Sequence, residues 1–237
     1  AGFIGSHLVR ALEARGDTVV VFDKKLNPLD DIRVPNAIAA KIQGCEAVVH
    51  LAAEKSVPRS VDDPTLFEEV NVRGTLHVLE AARLGGVEHV AHASSVAVYS
   101  SVSEGPFRED MPLPLDSRNE TEAFKKGQEV LANHYANETG MDIVFLRIGN
   151  FRGPLYQREN RTDTRMLKAA LTGQPARWDG IPGGAPHEED HSDFTYVKDG
   201  ARAIQMLTMA RKLPHRAYNI SAGVTVSNKE LANAVRA

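Results

Sequence analysis

Three strand-length runs rich in apolar residues, Ala47 to Leu51, His89 to Ala93 and Ile143 to Ile148, stand one helix-length segment apart, and this spacing restricts the fold more than any other feature. Runs of this length bounded by turn and helix signals read as strands of a parallel sheet. The periodicity between them predicts a helix over about Thr65 to Leu84, opened by Pro64, and a second over about Thr121 to Gly140. Strand alternating with helix at this pitch specifies an α/β, doubly wound parallel sheet.

The same rhythm extends toward the N-terminus. A helix is expected from Ser6 to Arg15, stopped by Gly16, then a buried parallel strand from Thr18 to Phe22 that ends on Asp23, and a short helix from Asn36 to about Gln43. Only seven residues separate Asp23 from Asp31, too few for a full crossover helix, so a third strand here is expected to be vestigial or to have lost its helix. Beyond Gly149 the regularity breaks, with Pro and Gly dense between Gln174 and Pro186. A helix from Val197 to about Ala210, a strand from Ala217 to Ile220 and a helix from Asn228 to Ala237 follow. The expected division is a dinucleotide-binding domain over 1–148, and a mixed segment over 149–237 that contributes a smaller substrate lobe and returning elements.

Composition excludes several function classes. With 237 residues, 42% hydrophobic and 25% charged, the chain has enough apolar material for a real core. A net charge of −3 and scattered Lys and Arg give no basic field, so nucleic acid is not an expected partner. Cys45 is the single cysteine and has no internal partner, which fits a reducing, cytoplasmic compartment. No apolar run reaches the ~18 residues of a membrane span, so no membrane association is expected, and no metal is implied.

Chemistry enters at the first residues. Gly2 and Gly5 flank Phe3 and Ile4 at the start of the first helix, and such glycines let a backbone approach a pyrophosphate that meets the positive end of the helix dipole. Helix–strand packing explains the same pair. Asp23, about twenty residues on at a predicted strand end, is placed to accept from the ribose hydroxyls of NAD, although Lys24 and Lys25 blur its discrimination against NADP. Asp31 and Ile32 would lie near the adenine, with a solvated loop acid as the plain alternative.

The strings GFIGSHL, VVHLAAEKSVPRSVDDP, NVRGTLHVLEAAR, ASSVAVYS, LRIGNFRGP and DFTYVKDGARAI, in this order and spacing, resemble the extended short-chain dehydrogenase/reductase family. Within it they look like the NAD-dependent epimerase/dehydratase group, which acts on nucleotide sugars. The resemblance covers nearly the whole chain. It implies that Leu51, Ala52 and Ala53 pass beside NAD, that Lys55 reaches its ribose, that Asn71 supports the site, and that Ser56, Asn150 and Arg152 serve the substrate. It further implies that Ser95 hydrogen-bonds the reacting sugar oxygen and that the protein pairs as a homodimer through its two long helices. Gly2 and Gly5 become the last two glycines of GxxGxxG, with the first glycine and the central strand upstream; these 237 residues alone are expected to fold poorly or to bind NAD weakly.

Two departures bear on the reaction. Dehydratases of the group carry Asp-Glu after the serine to exchange protons, whereas Val96 and Ala97 stand here and cannot, which leaves 4-epimerisation or simple carbinol oxidation ahead. The group's catalytic tyrosine lies four residues before its lysine; that lysine is Lys125, and Thr121 stands at the tyrosine position. An aliphatic hydroxyl starts far above the phenol's ~10, so Thr121 is a poor proton acceptor at neutral pH. Tyr99, His92 and Glu120 are the nearest replacement bases in sequence; slow turnover through Ser95, Lys125 and water, or NAD binding without turnover, are the other readings. On the substrate side Ser192, behind His191, replaces an arginine that relatives keep, and Arg152, Arg158 and Arg161 could compensate.

Overall fold

The computed structural model describes residues 2–54, 63–158, 161–175, 186–210 and 212–236. They fall into two compact units: Ala1–Gly149 with Lys198–Ile220, and Asn150–Val197 with Ser221–Ala237.

The first unit carries a four-stranded parallel sheet of Rossmann type. Its strands are β1 (Ala47–His50), β2 (His89–Ser95), β3 (Asp142–Ile148) and β6 (Ala217–Ile220), in the order β1-β2-β3-β6. Register aligns His50 with His92, His92 with Phe145 and Phe145 with Ala217, so equivalent side chains form rows across the sheet. The helices are α1 (Phe3–Arg15), α2 (Ala39–Ile42), α3 (Pro64–Glu68), α4 (Gly74–Leu84), α5 (Glu120–Thr139) and α7 (Val197–Met209). Val78, Leu79 and Ala82 of α4 and Ala132 and Ala136 of α5 pack on Val90, Ile143 and Phe145. Small Ala residues on α5 let that helix approach the sheet closely. Gly16 closes α1 at φ 95°, the left-handed conformation that a Cβ would strain.

The expected strand at Thr18–Phe22 is not paired. This run has no ladder partner among the described residues, Val20 is 53% exposed, and Phe22 reaches the core only from its edge. Apolar β-branched content favours an extended backbone, but a strand exists only through bonds to a neighbour. The expected helix over Thr65–Leu84 is likewise interrupted, because Glu69–Arg73 forms one π-helical turn between α3 and α4. A single inserted residue of this kind is invisible to hydrophobic periodicity.

The second unit holds a three-stranded sheet that the sequence reading did not anticipate. β4 (Asn150–Arg152) runs parallel to β5 (His191–Tyr196), which pairs antiparallel with β7 (Thr225–Ser227), so the order is β4-β5-β7. Helices α6 (Thr162–Thr172) and α8 (Asn228–Arg236) complete it. Among the described residues no helix is long and apolar enough to cross a membrane.

Candidate functional site

In parallel sheets ligands gather at the carboxyl ends of the strands; Ser95 ends β2, and Leu51, Ala52, Ala53 and Glu54 follow the end of β1. Buried Asn71, on the π turn, clamps this segment: its Oδ1 accepts from Glu54 N at 3.0 Å and its Nδ2 donates to Glu54 O at 2.9 Å. The carboxamide thus replaces a missing strand partner and fixes the path of the backbone. Gln128 Nε2 donates to Asn71 O (2.5 Å) and to Thr75 Oγ1 (2.9 Å), while the Thr75 hydroxyl donates to Asn71 O (2.8 Å). With the Thr75 proton so used, His50 Nε2 at 3.1 Å is the donor to Thr75 Oγ1. Burial, with the Lys125 charge nearby, lowers the His50 pKa to about 3, so the ring is neutral.

Ser95 ends β2 and caps a 3-10 turn, Val96–Tyr99. Its Oγ accepts from Ala97 N at 3.1 Å, which leaves the hydroxyl proton to be donated elsewhere. On α5, Lys125 Nζ donates to Ala93 O at 2.7 Å and so ties the helix to the strand two residues before Ser95. Thr121, one turn earlier on the same helical face, has a buried Oγ1 with no hydrogen-bond partner.

The replacement bases differ in position. Tyr99 is buried in a network: its oxygen accepts from Arg147 Nη1 (2.6 Å) and lies 2.9 Å from Asn219 Oδ1 and 3.1 Å from Arg108 O. Burial raises its pKa despite the Arg147 charge, so the phenol stays protonated. His92 lies 5.2 Å from the His50 ring, is 1% exposed, and has neither nitrogen bonded. Burial first, then His50 and Lys125, hold it well below the usual imidazole value. Glu120 is half-buried at the start of α5, beside Thr121.

The N-terminal residues fit a dinucleotide phosphate. Gly2 caps α1 and makes no side-chain cap bond, the helix has no acid in its first turn, and a Cβ on Gly2 would meet nothing within 4 Å among the described residues. The positive end of such a helix suits an anion. Phe3, Ile4 and Gly5 form the first turn. Asp23 Oδ1 accepts from Lys25 N at 2.8 Å in a tight turn. Arg33 forks onto Asp31 and lowers its pKa. Ile32 is buried over the start of α4, where its Cδ1 would be 2.7 Å from a Cβ on Gly74; only glycine admits that approach. His77 Nδ1 meets Ile32 O at 2.8 Å.

In the second unit, Asn150 is exposed at the start of β4. Arg152 is engaged by Asp163 and stacks on Tyr156 (4.5 Å) and Phe194 (5.2 Å), so a phosphate would compete with a carboxylate for its fork. Ser192 pairs with Val226 in the sheet. Lys55 and Ser56 lie outside the described residues. A cleft of about 1280 Å³ follows a flank of α5, past Lys126, Glu129, Val130, Arg147, Arg216 and Tyr218; Ser95, Thr121 and Lys125 do not line it.

Residues 1–221 match the sequence profile of the NAD dependent epimerase/dehydratase family. The chain belongs to that family. NAD is the family's cofactor, and the donor set at α1 agrees with it. The chain is 31% identical over 254 residues to a dTDP-glucose 4,6-dehydratase of Streptomyces griseus, covering 98% of this chain and 74% of that protein. It is 32% identical over 256 residues to a UDP-glucose 4-epimerase of Mycolicibacterium smegmatis, covering 99% and 79%. The solved UDP-glucose 4-epimerase of Thermus thermophilus, in complex with NAD, superposes with a TM-score of 0.81 at 31% identity, over 99% of this chain and 79% of that one.

Sequence reasoning missed the polar residues that hold these parts in place: Thr75, Gln128, Glu122, Glu129 and Arg147. Glu122 and Lys126, four apart on α5, carried the one available signal, but such a pair ordinarily reads as a solvated helix face.

Proposed function

We propose that this protein transfers a hydride between NAD and a carbinol of a nucleotide sugar, at an active site in which Thr121 stands where relatives use a phenol. Bound NAD supplies the hydride acceptor. The observation that carries this reading is the link from Lys125 Nζ to Ala93 O at 2.7 Å, which sets the cation beside the strand end that presents Ser95. Ser95 Oγ, already accepting from Ala97 N, directs its proton toward the substrate oxygen and orients the carbinol. Lys125 serves the ribose, and the Asn71 clamp fixes the backbone from Leu51 to Glu54 against which the cofactor lies. Thr121 Oγ1, buried and unbonded, offers a hydrogen bond to a water or a substrate hydroxyl rather than a base. Val96 and Ala97 cannot exchange protons, which favours epimerisation or carbinol oxidation over dehydration. Asn150 and Arg152 are proposed to meet the substrate's phosphates, and we read the protein as a cytoplasmic homodimer paired through α4 and α5, where Leu84 and Val130 are exposed.

A second reading, NAD binding without turnover, draws on Thr121 itself. NAD mixed with the full chain and a panel of nucleotide sugars and uronates separates the two. NADH fluorescence or an epimerised sugar, either reduced about hundredfold by Ser95→Ala, supports the enzyme; tight NAD binding with neither NADH nor epimerised product from any sugar supports the silent module.

A further inference from the structure

We propose that Glu122 is a positioning residue that sets Ser95 against Thr121, an inference that rests on the hydride-transfer reading above. Glu122 is 0% exposed, and its carboxylate binds two separate stretches of backbone. Oε1 accepts from Ser101 N (2.9 Å) and Ser101 Oγ (2.5 Å), and Oε2 accepts from Arg118 N (2.7 Å). Ser101 ends the short path that begins at Ser95 and runs through the 3-10 turn, and Arg118 precedes Asn119, the cap of α5. Lys126 completes the junction: Nζ lies 2.8 Å from Glu122 Oε1, 2.9 Å from Ser101 Oγ, 2.5 Å from Pro114 O and 2.8 Å from Asp116 O. One buried ion pair therefore ties the segment after β2, the segment before α5 and α5 itself into one piece.

Glu122 is the chain neighbour of Thr121, and the 3-10 turn leaves little slack between Ser95 and Ser101, so the separation of the two hydroxyls follows from these bonds. Among the described residues no hydrogen bond or ion pair joins Glu122 or Lys126 to a side chain assigned to NAD, although Lys126 follows Lys125 in the chain. The device governs alignment at the carbinol and leaves cofactor affinity alone.

Hydrogen exchange on the full chain, free of ligand, tests this first. Ala97 N–H, bonded to Ser95 Oγ, reports the orientation of Ser95. Glu122→Gln should speed exchange of the Ser101 and Arg118 amides about tenfold or more, and Ala97 should follow, while the β3 amides stay protected and show the fold intact. If Ala97 keeps its protection while Ser101 and Arg118 lose theirs, Glu122 does not position Ser95. In turnover, Glu122→Gln should lower kcat about tenfold or more with KM and NAD affinity little changed; an unchanged kcat, or a loss confined to KM or NAD affinity, overturns the proposal. If Glu122→Gln does not fold, Lys126→Met keeps the carboxylate and removes the cation with its bonds to Ser101, Pro114 and Asp116. The acid limb of its kcat profile should then move to higher pH than the parent's, and a profile identical to the parent's counts against the proposal. Should the parent reduce no NAD with any sugar, the hydride-transfer reading has failed, and the exchange data still decide the role of Glu122.

Discussion

Glu122 and Glu129 lie seven residues apart on α5, both buried and both paired with a cation, yet they hold different things. Glu129 takes the fork of Arg147 from β3, at 3.0 and 2.8 Å, and the hydroxyl of Ser94 from β2 at 2.5 Å. All three groups stand on regular elements, so the middle of α5 is locked to the sheet. Glu122, at the head of the same helix, takes backbone N–H groups from two irregular segments. The middle serves the fold; the head carries the alignment proposed for the candidate site. Burial alone does not separate the two roles, and the identity of what each carboxylate binds does.

Damage at the middle of α5 should be the more severe. Arg147→Met leaves Glu129 buried without its cation, and the expected loss is about 3–5 kcal/mol of stability. Thermal or urea melts measure it. The comparison sharpens if the Ala97 amide of this variant, under folding conditions, keeps the protection of the parent. It breaks if loss of Arg147 perturbs Ser95 as much as loss of Glu122 does.

Acid offers a second contrast. Unfolded, an imidazole takes up its proton near 6.5, whereas folded His50 stays neutral down to about 3 and His92 also stays neutral well below its usual value. Their contribution to stability is therefore complete above pH 6.5. It is lost as pH falls from 6.5 toward 3, because the unfolded chain binds protons that the folded chain refuses. At roughly 1.4 kcal/mol per pH unit for each proton, the His50 ring costs about 2 kcal/mol by pH 5, and His92 adds a loss in the same direction. Glu122 adds its own loss lower down. Burial pushes its carboxyl up, but the bonds from Lys126, Ser101 and Arg118 outweigh this and hold it at about 2, so its contribution, full above 4.5, disappears as pH falls from 4.5 toward 2.

His92→Phe should have the smallest effect at pH 7.5, within about 1 kcal/mol and in the stabilising direction, since it removes two unbonded buried nitrogens. At pH 5 the same variant should exceed the parent by more than it does at pH 7.5, since the unfolded parent gains a proton there that the folded ring refuses. A flat difference across this pH range would mean that His92 is protonated in the fold after all.

These contrasts mark where sequence reading stopped. The alternation that specified a parallel sheet was legible because β1, β2 and β3 are strand-length runs rich in apolar residues, separated by helix-length segments. Thr18–Phe22 misled, because composition reports a preference for extended backbone and not the presence of a partner. Strands of three residues, such as β4 and β7, are too short for a pattern. At the site, Lys125, Ser95 and Asn71 were reached through motif register. Glu122, Glu129 and Arg147 were not, since their burial depends on contacts more than a dozen residues away, as in Glu122 to Ser101 and Arg147 to Glu129. A charged residue is legible as buried only when its partner is visible too.

The central claim is that the cofactor side of the site is kept and that the proton acceptor alone is changed. Thr121→Tyr tests it most directly, with NADH and epimerised product both followed on the nucleotide sugar that the panel selects and NAD affinity measured in parallel. The account predicts a rise in kcat of about hundredfold, from a phenol lowered by Lys125, with NAD affinity unchanged. Tight NAD binding with no gain in rate would contradict it.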